Sequence, residues 1–304
     1  LVAPGSGLTD FELARPTSMA LREYVPGNLI YANGNRFTPR YFHLDPKGIR
    51  DIVRFQVDVA SEAVVELGAG GQPQQQTGGM GAVIIRAVPI CDVDLMHMNQ
   101  ITDEEDYRFQ MPVSNFAREQ GRHGEGYAYS WGPREVHLRS GVHLRLVNVG
   151  EAKSTRAGRL GYPVCLVCGQ SRSPLASQHD RDEFAKYHEK NCRQKVEPTG
   201  FFADIFADAL TLVACASREE GYSVAEAIRM GAADILEMEI EDLQIVSVAQ
   251  PGSESVDILL YDPMPGGSGL LDQLVWSLHE LHAHTGAFGG IRNLDREEQL
   301  LQRG

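Results

Sequence analysis

Apolar and polar positions alternate through much of the first 150 residues. Val53, Phe55, Val57 and Val59 are separated by Arg54, Gln56 and Asp58, the period-2 pattern of a half-buried strand. Ala82–Ile90 is more continuously apolar and reads as a buried strand, and Tyr127, Tyr129 and Trp131 alternate again. Val136–Leu138 and Val142–Val147 flank Ser140-Gly141, which predicts a hairpin turn. Short connections between these runs predict antiparallel pairing, because parallel strands need long crossovers. The Gly- and Gln-rich stretch from Gly68 to Gly81 predicts a mobile loop.

The pattern changes after residue 200. Phe202–Ser217 is strongly apolar and predicts a buried helix containing Cys215. Ser223-x-x-Glu226 has the form of a capping box, and Val224, Ala227, Ile228, Ile235 and Met238 follow as an apolar stripe. Ile245–Val248 and Val256–Tyr261 predict a short hairpin across a Pro-Gly-Ser loop, and Leu270–His284 predicts a final helix. The expected fold class is α+β, with a β-rich N-terminal half, an inserted zinc module and a helical C-terminal half with a short hairpin. The expected divisions are 1–150, 151–200 and 201–304.

The middle segment carries the strongest chemical signal. Cys165-Leu-Val-Cys168-Gly169 is followed by His188 and Cys192, a C-x2-C pair and an H-x3-C pair. Three thiolates and one imidazole fill a tetrahedral zinc shell and leave no open position for water, so the role expected of zinc here is structural. A helix over about 180–192 puts His188 and Cys192, at i and i+4, on one face. His179 is a rival ligand without such a partner. The competing reading is three ordinary reduced cysteines. Five cysteines among 304 residues is sparse usage and predicts a reducing, cytoplasmic setting rather than disulfides. Cys91, in an acidic context, and Cys215, in an apolar run, read as inert.

Charge adds a second feature. The chain carries a formal net charge of -13, which argues against the whole molecule gripping nucleic acid. Between Lys153 and Lys195, however, nine Lys/Arg face four Asp/Glu, a local excess of five. Arg181, Lys186 and Lys190 lie in that stretch and are candidates for phosphate contact; a solvated rim is the other reading.

Asp262-Pro-Met-Pro-Gly-Gly-Ser-Gly269 stands between a predicted strand and a predicted helix. Gly266, Gly267 and Gly269 could let an anion approach helix amides, or could form a tight turn with Asp262 capping the loop. No Lys-Ser/Thr follows, so this is not a phosphate-binding Walker loop, and Gly150-Glu-Ala-Lys-Ser154 lacks the second glycine. The chain alone is therefore not expected to hydrolyse ATP. Ser268 has no nucleophile-elbow context. His279, His282 and His284 leave open a metal-dependent hydrolase or nuclease using Asp262. A scaffold that docks a basic partner is a third class. No apolar run is long enough for a membrane helix. The first residue, Leu1, suggests a fragment of a longer protein.

Several of these segments together resemble the C-terminal domain of unknown function found in superfamily 2 DNA helicases of the mitomycin-repair (MrfA) type. The same domain occurs in a helicase-partner protein of DISARM phage-defence systems. Leu21-Arg-Glu-Tyr-Val-Pro-Gly27 with Ile30-Tyr-Ala-Asn-Gly34 is similar to the family's opening. The Cys165/Cys168 and His188/Cys192 pairs resemble its central metal module. Phe206-Ala-Asp-Ala-Leu-Thr-Leu212, Ala225–Leu243 and Asn293-Leu-Asp-Arg296 match further segments, and Leu260–Gly269 is similar to its "YD-x-x-PGGxG" signature. Many members carry four cysteines before the last of these; Thr285–Arg292 has none, which favours the broader family. The resemblance implies an accessory zinc-binding domain in DNA repair or phage defence. Its partners would be a helicase core in cis or a helicase subunit in trans, and a nucleic-acid strand, single-stranded DNA by expectation.

Overall fold

The alternating segments fold as strands. A computed structural model describes residues 2–3, 11–44, 52–59, 61–68, 82–101, 115–122, 126–131, 134–150, 160–249, 255–264, 266–285 and 288–293. Its first elements are β1 (Val2–Ala3), β2 (Phe11–Glu12), α1 (Thr17–Glu23), β3 (Ile30–Ala32), β4 (Asn35–Phe42), β5 (Val53–Asp58), β6 (Ala63–Leu67), β7 (Ala82–Pro89) and β8 (Val93–Gln100). Then come β9 (Asn115–Arg122), β10 (Gly126–Trp131), β11 (Arg134–Asn148), β12 (Tyr162–Pro163), α2 (Gln178–Asn191) and β13 (Pro198–Cys215). The last are α3 (Arg218–Leu236), β14 (Gln244–Ala249), β15 (Val256–Tyr261), α4 (Leu270–Thr285) and β16 (Phe288–Asn293). The fold is α+β, β-rich in its first half and with helices in its second. The predicted loop over Gly68–Gly81 falls, beyond Gly68, outside the described residues. No helix among the described residues is long and apolar enough to cross a membrane.

Two compact units divide the chain. The first contains Leu1–Val59, Val65–Asn115 and Val147–Ala203; the second contains Ala60–Val64, Phe116–Leu146 and Asp204–Gly304. The chain passes between them within β6, β9, β11 and β13.

In the first unit β5 pairs antiparallel with β7, and β7 pairs parallel with the opening of β13, Thr199 opposite Arg86. A separate three-stranded sheet has the order β3-β4-β8. The core is aromatic: Phe42 stacks on Phe201 at 4.8 Å and Phe55 meets Phe202 edge-on at 6.0 Å. One polar side chain is built into it. Asn148 is 0% exposed. Its amide donates to Leu21 O at 2.6 Å, and its carbonyl accepts from Gly150 N at 2.8 Å and from the Tyr162 hydroxyl at 2.9 Å. A buried amide with every group engaged costs little, and a core missing it leaves several groups unmet.

In the second unit β10 pairs antiparallel with β11 and with β16, and β15 lies between β14 and the end of β13, antiparallel to both. Helix α3 packs on β15 and β14 and against α4. Leu210, Leu212, Ile228, Ile258, Leu271 and Leu274 are among the residues buried together there.

Three local expectations are corrected. Residues 202–217 are not a helix: β13 occupies Pro198–Cys215. Thr199–Ala203 are buried consecutively, as in a strand covered on both faces, and a short apolar run of that kind looks the same as a buried helix in sequence. Ser140-Gly141 is not a hairpin turn but lies inside the continuous strand β11. Gly141 takes φ +60° there, and its amide donates to Asp208 Oδ1 at 3.1 Å, the behaviour of a bulge rather than of a chain reversal. Helix α3 starts six residues before the expected box. Ser217 is the N-cap, accepting from Glu220 N at 3.2 Å, while the Ser223 hydroxyl donates to Glu219 O inside the helix. Its buried face is Gly221, Ala225, Ile228 and Ala232, and Ile235 is exposed.

Replacing Asn148 by Ala leaves the Tyr162 hydroxyl, Gly150 N–H and Leu21 carbonyl without their shared partner. The expected loss is about 2–4 kcal/mol of stability, read as a lower urea midpoint at an unchanged slope. A midpoint like that of the wild type would show that these groups find other partners.

Candidate metal centre

The C-x2-C pair sits on a turn fixed by its own backbone. Gly169 N donates to Cys165 O at 2.8 Å and Cys165 N donates to Gln170 O at 2.8 Å. The arms of the turn pair Val164 with Ser171, and Gln170 bridges to Tyr41. Gly169 has φ +73°, and a Cβ added to it would lie 1.9 Å from the carbonyl oxygen of Phe42. Only glycine permits that approach. Phe42 N donates to Gly169 O at 2.9 Å, so the turn is hydrogen-bonded onto the end of β4.

The second pair comes from α2, within two residues of its expected bounds at the N-terminal end. Ser177 caps the helix, accepting from Asp180 N at 3.1 Å. Phe184 and His188, four residues apart, are its buried positions, and Cys192 follows at the C-cap with its amide bonded to His188 O. Phe184 and Tyr187 hold the imidazole edge-on at 4.4 Å and 5.1 Å.

The two pairs meet. The ligand atoms of Cys165, Cys168, His188 and Cys192 all lie within 4.8 Å of one another. His188 Nδ1 is 3.6 Å from Cys168 Sγ and 3.3 Å from Cys192 Sγ. Zinc–sulfur and zinc–nitrogen bonds of about 2.3 and 2.0 Å at tetrahedral angles put nitrogen and sulfur about 3.5 Å apart, so this spacing fits a shared cation. Burial, with the charges of Arg172 and Arg40, holds His188 below the usual histidine range and therefore neutral, the form that binds metal. Cys168 is exposed as a residue, but desolvation of its sulfur and the adjoining Cys165 and Cys192 thiols push it up to about 12 against the pull of the Gln170 amide. A soft divalent ion supplies the field that releases the Cys168 proton, and three thiols with one imidazole suit zinc.

The rival His179 stands apart, exposed and 3.7 Å from Glu183. Cys91 and Cys215 are elsewhere in the fold; burial and then Asp92 push Cys91 up to about 12, and Cys215 belongs to the core of the second unit. Lys186 and Lys190 are exposed on α2, whereas Arg181 is half-buried and donates to Pro174 O at 3.0 Å and to Gln178 Oε1 at 2.7 Å. Two further cations lie near the cluster, Arg172 and Arg40. The first belongs to the basic stretch. The second gave no signal, being a charged residue at an inward position of a strand.

The glycine-rich loop is a separate site in the second unit. Asp262 is 1% exposed. Its Oδ1 accepts from Met264 N at 2.9 Å, and its Oδ2 accepts from both the amide and the hydroxyl of Ser268. The carboxylate braces the loop, as its position at the head of the glycines suggested. Gly267, at φ +75°, has no room for a Cβ, which would meet Asp208 Oδ2 at 2.2 Å. Gly266 and Gly269 also take positive φ. The side chains of His279, His282 and His284 lie outside the described residues.

No family model matches this chain, and no curated protein matches it. Among solved structures, one similar chain is a DUF1998 helicase, MrfA, in a crystal structure bound to DNA. The likeness has a TM-score of 0.34 at 9% identity and covers 88% of this chain and 26% of that one. This chain thus spans about a quarter of that protein's length.

Asp262→Ala is expected to release the Met264 and Ser268 amides. Their hydrogen exchange should accelerate, with a stability loss of about 1–3 kcal/mol for the buried donors left unmet. Unchanged exchange at both amides would rule out the bracing role.

Proposed function

We propose that this chain is an accessory domain of a superfamily 2 DNA helicase or of a DNA-processing or phage-defence complex built around one. It holds one structural zinc ion through Cys165, Cys168, His188 and Cys192. The observation that supports the metal is the convergence of those four ligand atoms within 4.8 Å, from two segments that sequence spacing had already paired. Bound there, zinc would supply folding energy and no open coordination position for chemistry. The helicase reading is supported by the sequence resemblance of the opening, metal and "YD-x-x-PGGxG" segments. On this reading ATP hydrolysis belongs to a helicase core elsewhere in the same protein or in a partner subunit. The domain packs on that core and helps to hold a nucleic-acid strand. Lys186 and Lys190, exposed and four residues apart on α2, are the groups best presented to phosphate, with Arg181 beside them.

The purified chain is expected to contain about one zinc per molecule, and Cys168→Ser to lose most of it. Elemental analysis of both proteins checks this. Metal-free wild type from a zinc-replete preparation, or undiminished zinc in Cys168→Ser, overturns the assignment.

Single-stranded DNA is expected to bind weakly, at low salt only, because the chain as a whole is acidic. Each phosphate contact releases counterion, so log affinity should fall against log salt by about 0.7 per contact. Replacing Arg181, Lys186 and Lys190 together by Ala should lower both affinity and slope in a fluorescence titration. Triple-mutant binding equal to wild type, or no binding by either, favours a protein-interaction scaffold instead.

A further inference from the structure

Two arginines stand beside the sulfur cluster with no carboxylate paired to either among the described residues. Arg40, on β4, is 8% exposed, and its Nε is buried without a hydrogen-bond partner. It precedes Tyr41, the residue that bridges to Gln170 on the metal turn, and its carbonyl accepts from Ser171 N at 2.9 Å. Arg172 continues the same arm of the turn, its amide donating to Pro163 O at 3.0 Å. Its guanidinium carbon lies 5.8 Å from the centre of the Phe184 ring, and Phe184 lies against His188. The Nε of Arg172 is also buried without a partner. Among the described residues neither guanidinium forms an ion pair with an acid. Burial and then the charge of Arg172 hold Arg40 below the usual arginine range, and both charges bear on His188. In the metal-free protein these are two like charges in a poorly solvated place, an arrangement that costs free energy unless an anion offsets it.

The zinc reading supplies that anion. Three thiolates carry three negative charges, a divalent cation carries two positive ones, and a neutral imidazole adds none. The occupied centre therefore keeps one net negative charge. We infer that Arg40 and Arg172 are the counter-charges of this centre and set how tightly the chain holds its metal. Arginine suits the role because its delocalised guanidinium is more weakly hydrated than an ammonium and so costs less to bury. Groups just outside a metal's ligands commonly change its affinity by about 10–100-fold. The inference rests on zinc occupying the four-residue cluster, and the experiment separates the two.

The measurement is competition for zinc between the full chain and a chromophoric chelator at neutral pH. Arg172→Gln keeps the half-buried side chain polar and removes its charge; Arg172→Lys restores a charge; Arg40→Met removes the buried one; Lys186→Gln removes an exposed charge on the same module. Zinc affinity is expected to fall about tenfold or more in Arg172→Gln and in Arg40→Met. It should recover most of that loss in Arg172→Lys and stay at the wild-type value in Lys186→Gln. Circular dichroism checks that each variant is folded, and Arg172→Gln decides alone should Arg40→Met fail to fold. Wild-type affinity in Arg172→Gln overturns the inference and leaves the zinc assignment standing. So does an Arg172→Lys protein as weak as Arg172→Gln, because shape rather than charge would then be at work. Wild type that takes up no zinc overturns the assignment and this inference together.

Discussion

The turn carrying Cys165 and Cys168 lies so close to the backbone at the end of β4 that residue 169 must have no Cβ. A side-chain atom there would come within 1.9 Å of the Phe42 carbonyl oxygen. That approach, with the hydrogen bond from Phe42 N to Gly169 O, references two of the four clustered side chains to the β-structure of the first unit. Phe42 in turn stacks on Phe201 of β13. The turn is therefore not a free knuckle waiting for an ion to shape it. Helix α2 has the simpler task of presenting His188 and Cys192 on one side, which its i,i+4 spacing and the packing of Phe184 accomplish. A cation bound between them would tie a segment with few large apolar residues to a sheet that has its own core.

The two sites differ in what they leave undone. At Asp262 every strong acceptor is already met by the loop it heads, by Met264 N and by the amide and hydroxyl of Ser268. Such a carboxylate has little left to offer a ligand. At the sulfur cluster the reverse holds. Three thiols and a neutral imidazole face one another, their ligand atoms all within 4.8 Å. Unmet groups that converge are a stronger indication of binding than glycine content.

Much of this could be read from the sequence where one residue type at one spacing has one physical meaning. C-x2-C-G with H-x3-C gave the turn, the helix face and the four side chains that meet. The alternation at Val53–Val59 and the apolar runs of β7, β14 and β15 fixed those strands. The errors lie where two structures share a pattern. Phe202–Ser217 is apolar enough for a buried helix and equally for a long strand, which is buried on both faces only as far as Ala203 and partly exposed beyond it. Ser140-Gly141 serves a bulge as well as a turn. Ser217-x-x-Glu220 and Ser223-x-x-Glu226 have the same form, and only the strand ending at Cys215 decides between them. Arg40 and Asp208 gave no signal, because their roles come from neighbours remote in sequence.

Asn148 has a consequence for the order in which the chain is made. Its side chain joins Leu21 to residues 150 and 162, a separation of 127 residues in the first case. The first unit also needs Thr199–Phe202 to flank β7, while the sequence between its pieces goes to the second unit. At about 5–20 residues per second, synthesis leaves Leu21 waiting roughly 6 to 25 seconds for its partner. During that time β5 and β7 can pair with each other, but the edge of β7 that takes β13 stays open, and open edges recruit other chains. A nascent chain of this design is a natural client for a chaperone, and a single cut in its gene cannot release either unit whole.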